Sequence, residues 1–391
     1  MIVIPVSGRF MDMNAIRENH TGELIADNID SLSPLYASRN TYNQHRSFPS
    51  VRNNNGNLVV VNSLNELMES KVAAKSVLGI SKQFRRIEIY FFPGTSNKRA
   101  LVIGGVHGSE LSSISVANDV IKKLQSGEQP YYNTIVIPCL FPDNAYAAEI
   151  NPSEIGSVYN IGRYTSKTSV DPNRQMPSLG KAHNTHQPLD HHGRKIEQEN
   201  SMLLDLINEF RPQRIVNLHS IRDTLKGGIY ADPRTDQFGN ALGFATDSSL
   251  AIQMALHIYK NGGKVPGNLL DKQPTALYHK DPLPATAGTI QPRNLCGIKL
   301  PGGRGHGISL GSWASTAVFD SLQPQANRPA IRIITVEFPG YKSPEFYADT
   351  LAKESSRKMV SLFAESITTV FLKERYIEED HDMQYNATVK Q

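Results

Sequence analysis

His107 and Glu110 are a pair of side chains whose types and spacing suit metal binding. They are three positions apart, where the apolar run of residues 99–106 gives way to a helical pattern. A strand end and a helix start can present both side chains to one ion, and imidazole and carboxylate groups are zinc ligands. Alone, the pair is more simply explained by an acidic residue in the first helical turn, where the helix dipole favours it.

His219 supplies the third ligand that a catalytic zinc site requires. It ends the apolar run that begins at Arg214, so it matches the position of His107 after its own run. Ligand sites in open α/β sheets lie outside the carboxyl ends of the strands. A strand-end histidine satisfied by the backbone is the alternative, and two histidines at matching positions weigh against it. The sequence therefore predicts one Zn²⁺ per chain.

Glu337 is the candidate general base. It interrupts the apolar strand pattern IRIITVEF, where a buried carboxylate is costly unless it has a partner or a task. A carboxylate directed at the metal can take a proton from water and pass it to the leaving amine. An edge-strand glutamate facing solvent is the alternative, and the apolar residues on both sides argue against it.

Three polar residues suit the binding of a substrate carboxylate and an oxyanion. Asn173 and Arg174, in the run Asp171-Pro-Asn-Arg, offer amide donors beside a bidentate guanidinium. Arg163, eleven positions earlier, can stabilise the oxyanion of a tetrahedral intermediate. An ordinary surface arginine is an equally good reading of Arg163.

Strands that alternate with helices must position these residues. Alternation predicts a strand at 85–94 that ends in a Pro-Gly turn, and short apolar runs predict strands at 99–106, 134–141, 214–220 and 331–338. Helical spacing of apolar residues predicts helices at 109–127, 202–210, 247–260 and 343–372. The alternation predicts an α/β fold with a mixed, mostly parallel central sheet flanked by helices.

The domain organisation is predicted from changes in residue composition along the chain. Residues 1–84 are predicted to be an N-terminal extension that packs on the main body, 85–373 the catalytic domain and 374–391 a polar tail. Long stretches rich in glycine, proline and polar residues, at 156–195 and 262–308, are predicted to be functional loops.

Composition excludes several classes of protein. The 391 residues have a net charge of +4 spread along the chain, which gives no case for nucleic-acid binding. Two cysteines exclude a disulfide framework. No apolar run is long enough for a membrane helix, and no secretory signal is recognised, so we expect a cytoplasmic protein without a membrane partner.

Taken together, these motifs resemble the zinc carboxypeptidases of the carboxypeptidase A-like family. His107-x-x-Glu110, Asp171-Pro-Asn173-Arg174, Leu218-His219-Ser220 and Thr335-Val336-Glu337 occur in the order and with the spacing of that family, over about residues 85–370. The resemblance implies zinc binding by His107, Glu110 and His219, and catalysis by Glu337. It also implies that Asn173 and Arg174 hold the substrate carboxylate and that Arg163 is the oxyanion arginine, although it lies closer to Arg174 than in the digestive enzymes.

A finer resemblance links the chain to bacterial murein tripeptide amidases, which cut the γ-D-glutamyl bond to meso-diaminopimelate. Glu197-Gln-Glu199-Asn200 and Ser309-Leu-Gly-Ser312-Trp-Ala look like the pattern of that subgroup. Ser309 and Ser312 are the residues we expect to recognise the diaminopimelate side chain. The N-terminal extension, the long loop 262–308 and Gln175-Met176-Pro177 after the arginine depart from the subgroup.

Two other functions remain open. N-acyl amino-acid deacylases of the aspartoacylase and succinylglutamate desuccinylase type resemble the same scaffold and use similar motifs, so the substrate is a small peptide or an acyl amino acid. A zinc-retaining binding protein without turnover is the second alternative. The cluster His183, His186, His191 and His192 is predicted to be a solvated loop rather than a second metal site.

Overall fold

The structure is a computed structural model that describes residues 58–127, 129–157, 160–165, 170–242, 244–270 and 307–373. Three predicted segments therefore lie wholly or largely outside the described residues: 1–57 of the N-terminal extension, 271–306 of the long loop, and the tail 374–391. No helix within the described ranges has the length and apolar character needed to span a bilayer.

An eight-stranded sheet forms the centre of the described fold. Its strands, in chain order, are β1 (Val59–Val60), β2 (Ala74–Ile80), β3 (Arg86–Phe92), β4 (Arg99–Ile103), β5 (Asn133–Ile137), β6 (Arg214–Ile221), β7 (Gly228–Asp232) and β8 (Arg332–Pro339). Their spatial order is β1-β2-β3-β5-β4-β6-β8-β7. The four pairs β1–β2, β4–β5, β4–β6 and β6–β8 are parallel and the other three are antiparallel. The predicted mixed, mostly parallel sheet is confirmed.

Helices cover both faces of the sheet. They are α1 (Leu64–Glu69), α2 (Leu111–Ser126), α3 (Pro142–Ile150), α4 (Gln198–Phe210), α5 (Phe244–Lys260), α6 (Leu310–Ala314) and α7 (Thr350–Ser366). α2, α5 and α7 bury their apolar residues in one core cluster, and α1, α4 and α6 in the other.

Side-chain alternation along the central strands divides the core into these two clusters. On β4, Leu101 and Ile103 belong to the cluster that includes α4 and α6, whereas Val102 belongs to the cluster that includes α2. Successive side chains of a strand point to opposite faces, so a sheet covered on both faces needs apolar residues at nearly every position. This requirement explains why β4, β6 and β8 are rich in apolar residues.

Residues 58–84 contribute directly to the sheet. β2 pairs with β3 in antiparallel register, from Ala74 opposite Phe91 to Ile80 opposite Arg86. The sequence-based boundary after residue 84 therefore falls between two paired strands of one sheet. Leu64 and Leu67 of α1 pack in the same core cluster as β2 and β3.

Candidate metal centre

The candidate metal ligands gather at the carboxyl edge of the three central parallel strands. His219 lies on β6, two residues before the strand ends, and His107 follows β4 by four residues. Glu337 lies on β8 directly opposite His219 in the parallel register. Neighbouring strands are about 4.8 Å apart, so this register places the Glu337 and His219 side chains side by side on one face of the sheet.

The turn between β4 and α2 brings His107 and Glu110 to this edge. Gly104 packs so closely that a Cβ atom there would lie 2.5 Å from the Pro138 carbonyl oxygen, and Gly105 has a φ of +63°. Both positions favour glycine, because it has no Cβ and tolerates positive φ. The Glu110 N–H donates to the His107 carbonyl at 3.0 Å, which closes the turn just before α2 begins.

His107, Glu110 and His219 form one tight, buried group. Their potential ligand atoms all lie within 4.8 Å of one another. One Glu110 oxygen lies 2.9 Å from Nδ1 of His107, and the other lies 3.0 Å from Nδ1 of His219. Glu110 occupies the N-cap position of α2 without capping it, because its carboxylate is turned toward the two imidazoles.

Two residues of the Asp171–Arg174 turn contact the imidazoles at Nε2, the ring nitrogen that faces away from Glu110. Nε2 of His107 lies 2.8 Å from Oδ1 of Asp171, and Nε2 of His219 lies 3.2 Å from the Asn173 amide nitrogen. The Leu310 N–H donates to Oδ1 of Asn173 at 2.9 Å, which fixes the orientation of that amide. A carboxylate such as Asp171 accepts the Nε2–H of a metal-binding histidine and holds it in one tautomer and one ring orientation. The Asn173 amide nitrogen is a donor, so its contact with His219 requires Nε2 of that ring to accept.

The charges of the group are mutually compensating. Burial raises the pKa of Glu110, but the two imidazoles outweigh it and hold that pKa well below its usual range. Burial and the Arg163 cation lower the pKa of His107, yet the carboxylates of Glu110 and Asp171 produce a net upward shift. Burial is the main cause of the lowered pKa of His219. Glu110 is therefore an ionised carboxylate, the form that binds metals.

The two predicted arginines differ in their placement. Nη1 of Arg163 donates to Glu110 at 2.9 Å, and its Nη2 lies 3.7 Å from Asp171, so this guanidinium borders the ligand group. Nη1 of Arg174 donates to the Asn173 carbonyl at 2.7 Å, and its side chain is part-buried. Arg163, Asn173 and the metal-ligand candidates thus lie together, and Arg174 lies at their edge.

Ser309 and Ser312 lie at the start of α6. The Ser309 hydroxyl accepts from the Ser312 N–H at 3.1 Å, as an N-cap does, and the two hydroxyls are 3.0 Å apart. α6 is joined to the ligand group through the Leu310–Asn173 hydrogen bond. Their expected role in substrate recognition stays a prediction.

Two tyrosines beside the centre were not predicted from the sequence. Burial raises the pKa of Tyr230 on β7 to about 12, and the charge of Glu337 adds to the shift. Burial also raises the pKa of Tyr341, with Arg163 opposing and Glu110 and Glu337 adding. Tyr341 lies two residues beyond the end of β8, and this position after a strand end is the same sequence signal that identifies His107.

The histidine-rich loop forms no comparable group within the described part of the chain. There, the His107–Glu110–His219 set is the one cluster with metal-ligand geometry. The predicted solvated loop is correct for His186, His191 and His192, which are exposed, and wrong for His183, which is buried with Nε2 3.0 Å from the Ser201 hydroxyl.

Comparisons with known proteins give similarity of structure and none of sequence. No protein-family model matches the chain, and no curated protein matches it. The murein-tripeptide amidase of Escherichia coli O157 is similar over 80% of this chain and 97% of its own, with 16% identity and a TM-score of 0.40.

Two other solved structures give similar values. Bovine thrombin-activatable fibrinolysis inhibitor, solved with a tick carboxypeptidase inhibitor, is similar over 77% of this chain and 91% of its own, with 11% identity and a TM-score of 0.42. A proposed succinylglutamate desuccinylase/aspartoacylase of Shewanella frigidimarina NCIMB 400 is similar over 78% of this chain and 73% of its own, with 9% identity and a TM-score of 0.40. Similarity at this level describes a partial overlap of the chain path and identifies neither activity nor substrate.

Proposed function

We propose that the protein is a zinc-dependent hydrolase that cleaves an amide bond next to a free carboxylate. The observation that carries this proposal is the convergence of His107, Glu110 and His219 at the sheet edge, with Glu337 beside His219. Two imidazoles and one carboxylate are the protein ligands of a catalytic zinc, which keeps a further position open. Bound zinc acidifies water and polarises a carbonyl group.

The residues of this chain have distinct roles in the proposed reaction. Glu337 takes a proton from the attacking water and gives it to the leaving amine. Arg163, whose guanidinium already lies against Glu110, stabilises the negative charge of the tetrahedral intermediate. Asp171 accepts from Nε2 of His107 and so leaves Nδ1 of that ring for the metal.

The proposed substrate is a small peptide with a γ-D-glutamyl-meso-diaminopimelate bond. In this proposal Arg174 and Asn173 anchor the substrate carboxylate, and Ser309 and Ser312 recognise the diaminopimelate side chain. The Leu310–Asn173 hydrogen bond supports the assignment, because it joins the segment with the amidase-like pattern to the carboxylate-binding turn.

A substrate panel tests this assignment against the deacylase alternative. The zinc-loaded protein is incubated with γ-D-Glu-diaminopimelate peptides, N-acetyl-aspartate and N-succinyl-glutamate, and released amine is measured. We expect cleavage of the peptides. Cleavage of the acyl amino acids alone would replace the peptide substrate by an acyl amino acid and leave the hydrolase proposal in place.

A Glu337→Gln variant tests the alternative of a binding protein without turnover. The substitution keeps the shape of the side chain and removes its basicity. An active wild type with an inactive, zinc-loaded variant supports hydrolysis. Equal absence of activity in both proteins over the whole panel supports the binding protein.

A further inference from the structure

A cavity lies on the other side of the loop 160–165 from the metal centre. It has a volume of about 310 Å³ and is lined by the turn after β2, the start of α3, the loop 160–165 and the start of α4. Gly162 and Tyr164 line this cavity, whereas Arg163 between them donates to Glu110 in the metal centre. We call it the Glu199 cavity, after the carboxylate that distinguishes it.

Two of the three carboxylates in its wall are already compensated. Asp143 accepts from the Ser81 hydroxyl at 2.6 Å, the Gln83 N–H at 3.0 Å and Nη1 of Arg85 at 3.0 Å. Glu197 is paired with the Lys82 ammonium group. Both carboxylates therefore have the partners that a buried charge requires.

Glu199 differs from both. It is only 4% exposed, and its carboxylate accepts a hydrogen bond from its own backbone N–H. Among the described residues, no other group donates a hydrogen bond to it and no cation is within ion-pair distance. Burial raises its pKa to about 7, although Lys82 nearby opposes the shift. A buried carboxylate that lines an open cavity without a counter-ion is a binding group for a cation.

The form of the cavity selects the kind of cation. Calcium and magnesium take six or more oxygen ligands, usually with several carboxylates, and a single uncompensated carboxylate does not supply them. The space is also large enough for a small molecule, and the wall contains Asn144 and Asn160, whose side-chain amides are able to hydrogen-bond hydroxyl groups. We propose that the Glu199 cavity binds a small hydroxylated molecule through a primary ammonium group that pairs with Glu199.

The test compares serinol with glycerol, two molecules that differ by an ammonium group in place of the central hydroxyl. Binding to the wild-type protein is measured near neutral pH by calorimetry or by NMR titration. We expect serinol to bind at least about tenfold more tightly than glycerol, because a charge-assisted hydrogen bond replaces a neutral one. Equal affinities would overturn the proposal, and this comparison needs no variant.

Matched variants locate the binding to the cavity. Glu199→Gln is expected to reduce serinol binding to the level of glycerol. Glu209→Gln removes the same charge from an exposed position at the other end of α4 and is expected to change nothing. Glu197→Gln, which leaves the Lys82 cation beside the cavity without its partner, is expected to weaken serinol binding severalfold. Serinol affinity that survives Glu199→Gln would contradict the assignment, whatever the outcome of the hydrolysis assays.

Discussion

Glu110 and Glu199 are two buried glutamates, one on each side of the loop 160–165, with opposite electrostatic environments. Their exposed fractions are 2% and 4%, so burial penalises both charges to a similar degree. Two imidazoles and Arg163 surround Glu110, and its pKa lies well below the usual range. Glu199 has no such partners, and its pKa rises to about 7. Neighbours, more than depth, therefore decide which buried carboxylate is ionised at neutral pH.

Substitutions of Glu110 and of Glu199 should differ most in their effect on the zinc content of the protein. We expect about one zinc per chain in the wild type, nearly complete loss in Glu110→Gln and in His219→Ala, and full retention in Glu199→Gln. A catalytic zinc needs three protein ligands, and removal of one opens the site. Elemental analysis after dialysis measures this. A wild type that binds no zinc would refute the metal centre.

Replacement of Glu337 should separate metal binding from catalysis. We expect Glu337→Gln to keep its zinc and to lose about 10²–10⁴-fold in kcat, the usual contribution of a general base. Steady-state kinetics on the cleaved substrate and elemental analysis of the same sample provide the two readouts. Loss of zinc together with activity would instead assign Glu337 to the ligand set.

The raised pKa of Glu199 should make the protein less stable at high pH. Its folded-state pKa of about 7 is above the ordinary value of 4.5, so the folded protein holds this proton more tightly than the unfolded chain. Stability from this group is complete below about pH 4.5 and is lost as pH rises to about 7, by about 3 kcal/mol in total.

Chemical denaturation across this pH range measures the effect. Glu199→Gln should remove that part of the pH dependence, whereas Glu354→Gln, at an exposed position of α7, should retain it. Identical pH profiles for wild type and Glu199→Gln would show that Glu199 is ionised and compensated, like Glu110.

Of the four sets of substitutions predicted here, replacement of Asp171 should have the smallest effect. Its carboxylate holds the ring of His107 from behind, at 2.8 Å from Nε2. We expect Asp171→Asn to weaken zinc affinity about 10–100-fold, which is the usual effect of losing such a partner. Competition with a chelating dye measures the affinity. An unchanged value would mean that the turn 172–174 alone positions the ring.

The sequence predicted the central elements and the ligand positions because both depend on local patterns. The apolar residues concentrated in β4, β6 and β8 indicate strands buried on both faces, and the positions of the residues at their ends follow from strand geometry. β7 was missed because Gly228–Asp232 is a short edge strand with little apolar alternation. β2 was missed although Val77, Leu78 and Ile80 are apolar, because residues 1–84 were assigned as a whole to the N-terminal extension.

The contacts that orient the site could not be predicted in this way. Asp171 and His107 are 64 positions apart, and Leu310 and Asn173 are 137 apart. Such pairs depend on how loops fold over the sheet edge, and spacing along the chain carries no information about it. Glu199 was noted only as part of a resemblance, because its burial beside a cavity depends on α3 and on the loop 160–165.

The pairing of Glu337 with His219 has a consequence for how the chain tolerates change in length. The parallel register between β6 and β8, from Arg214–Arg332 to Ile221–Pro339, places the two residues opposite each other. Their alignment therefore depends on the number of residues between Arg332 and Glu337. One residue inserted between Arg332 and Glu337 would turn Glu337 to the opposite face of the sheet. Insertions and deletions should therefore accumulate in the connections between elements and be absent from this six-residue interval in any lineage that retains the reaction.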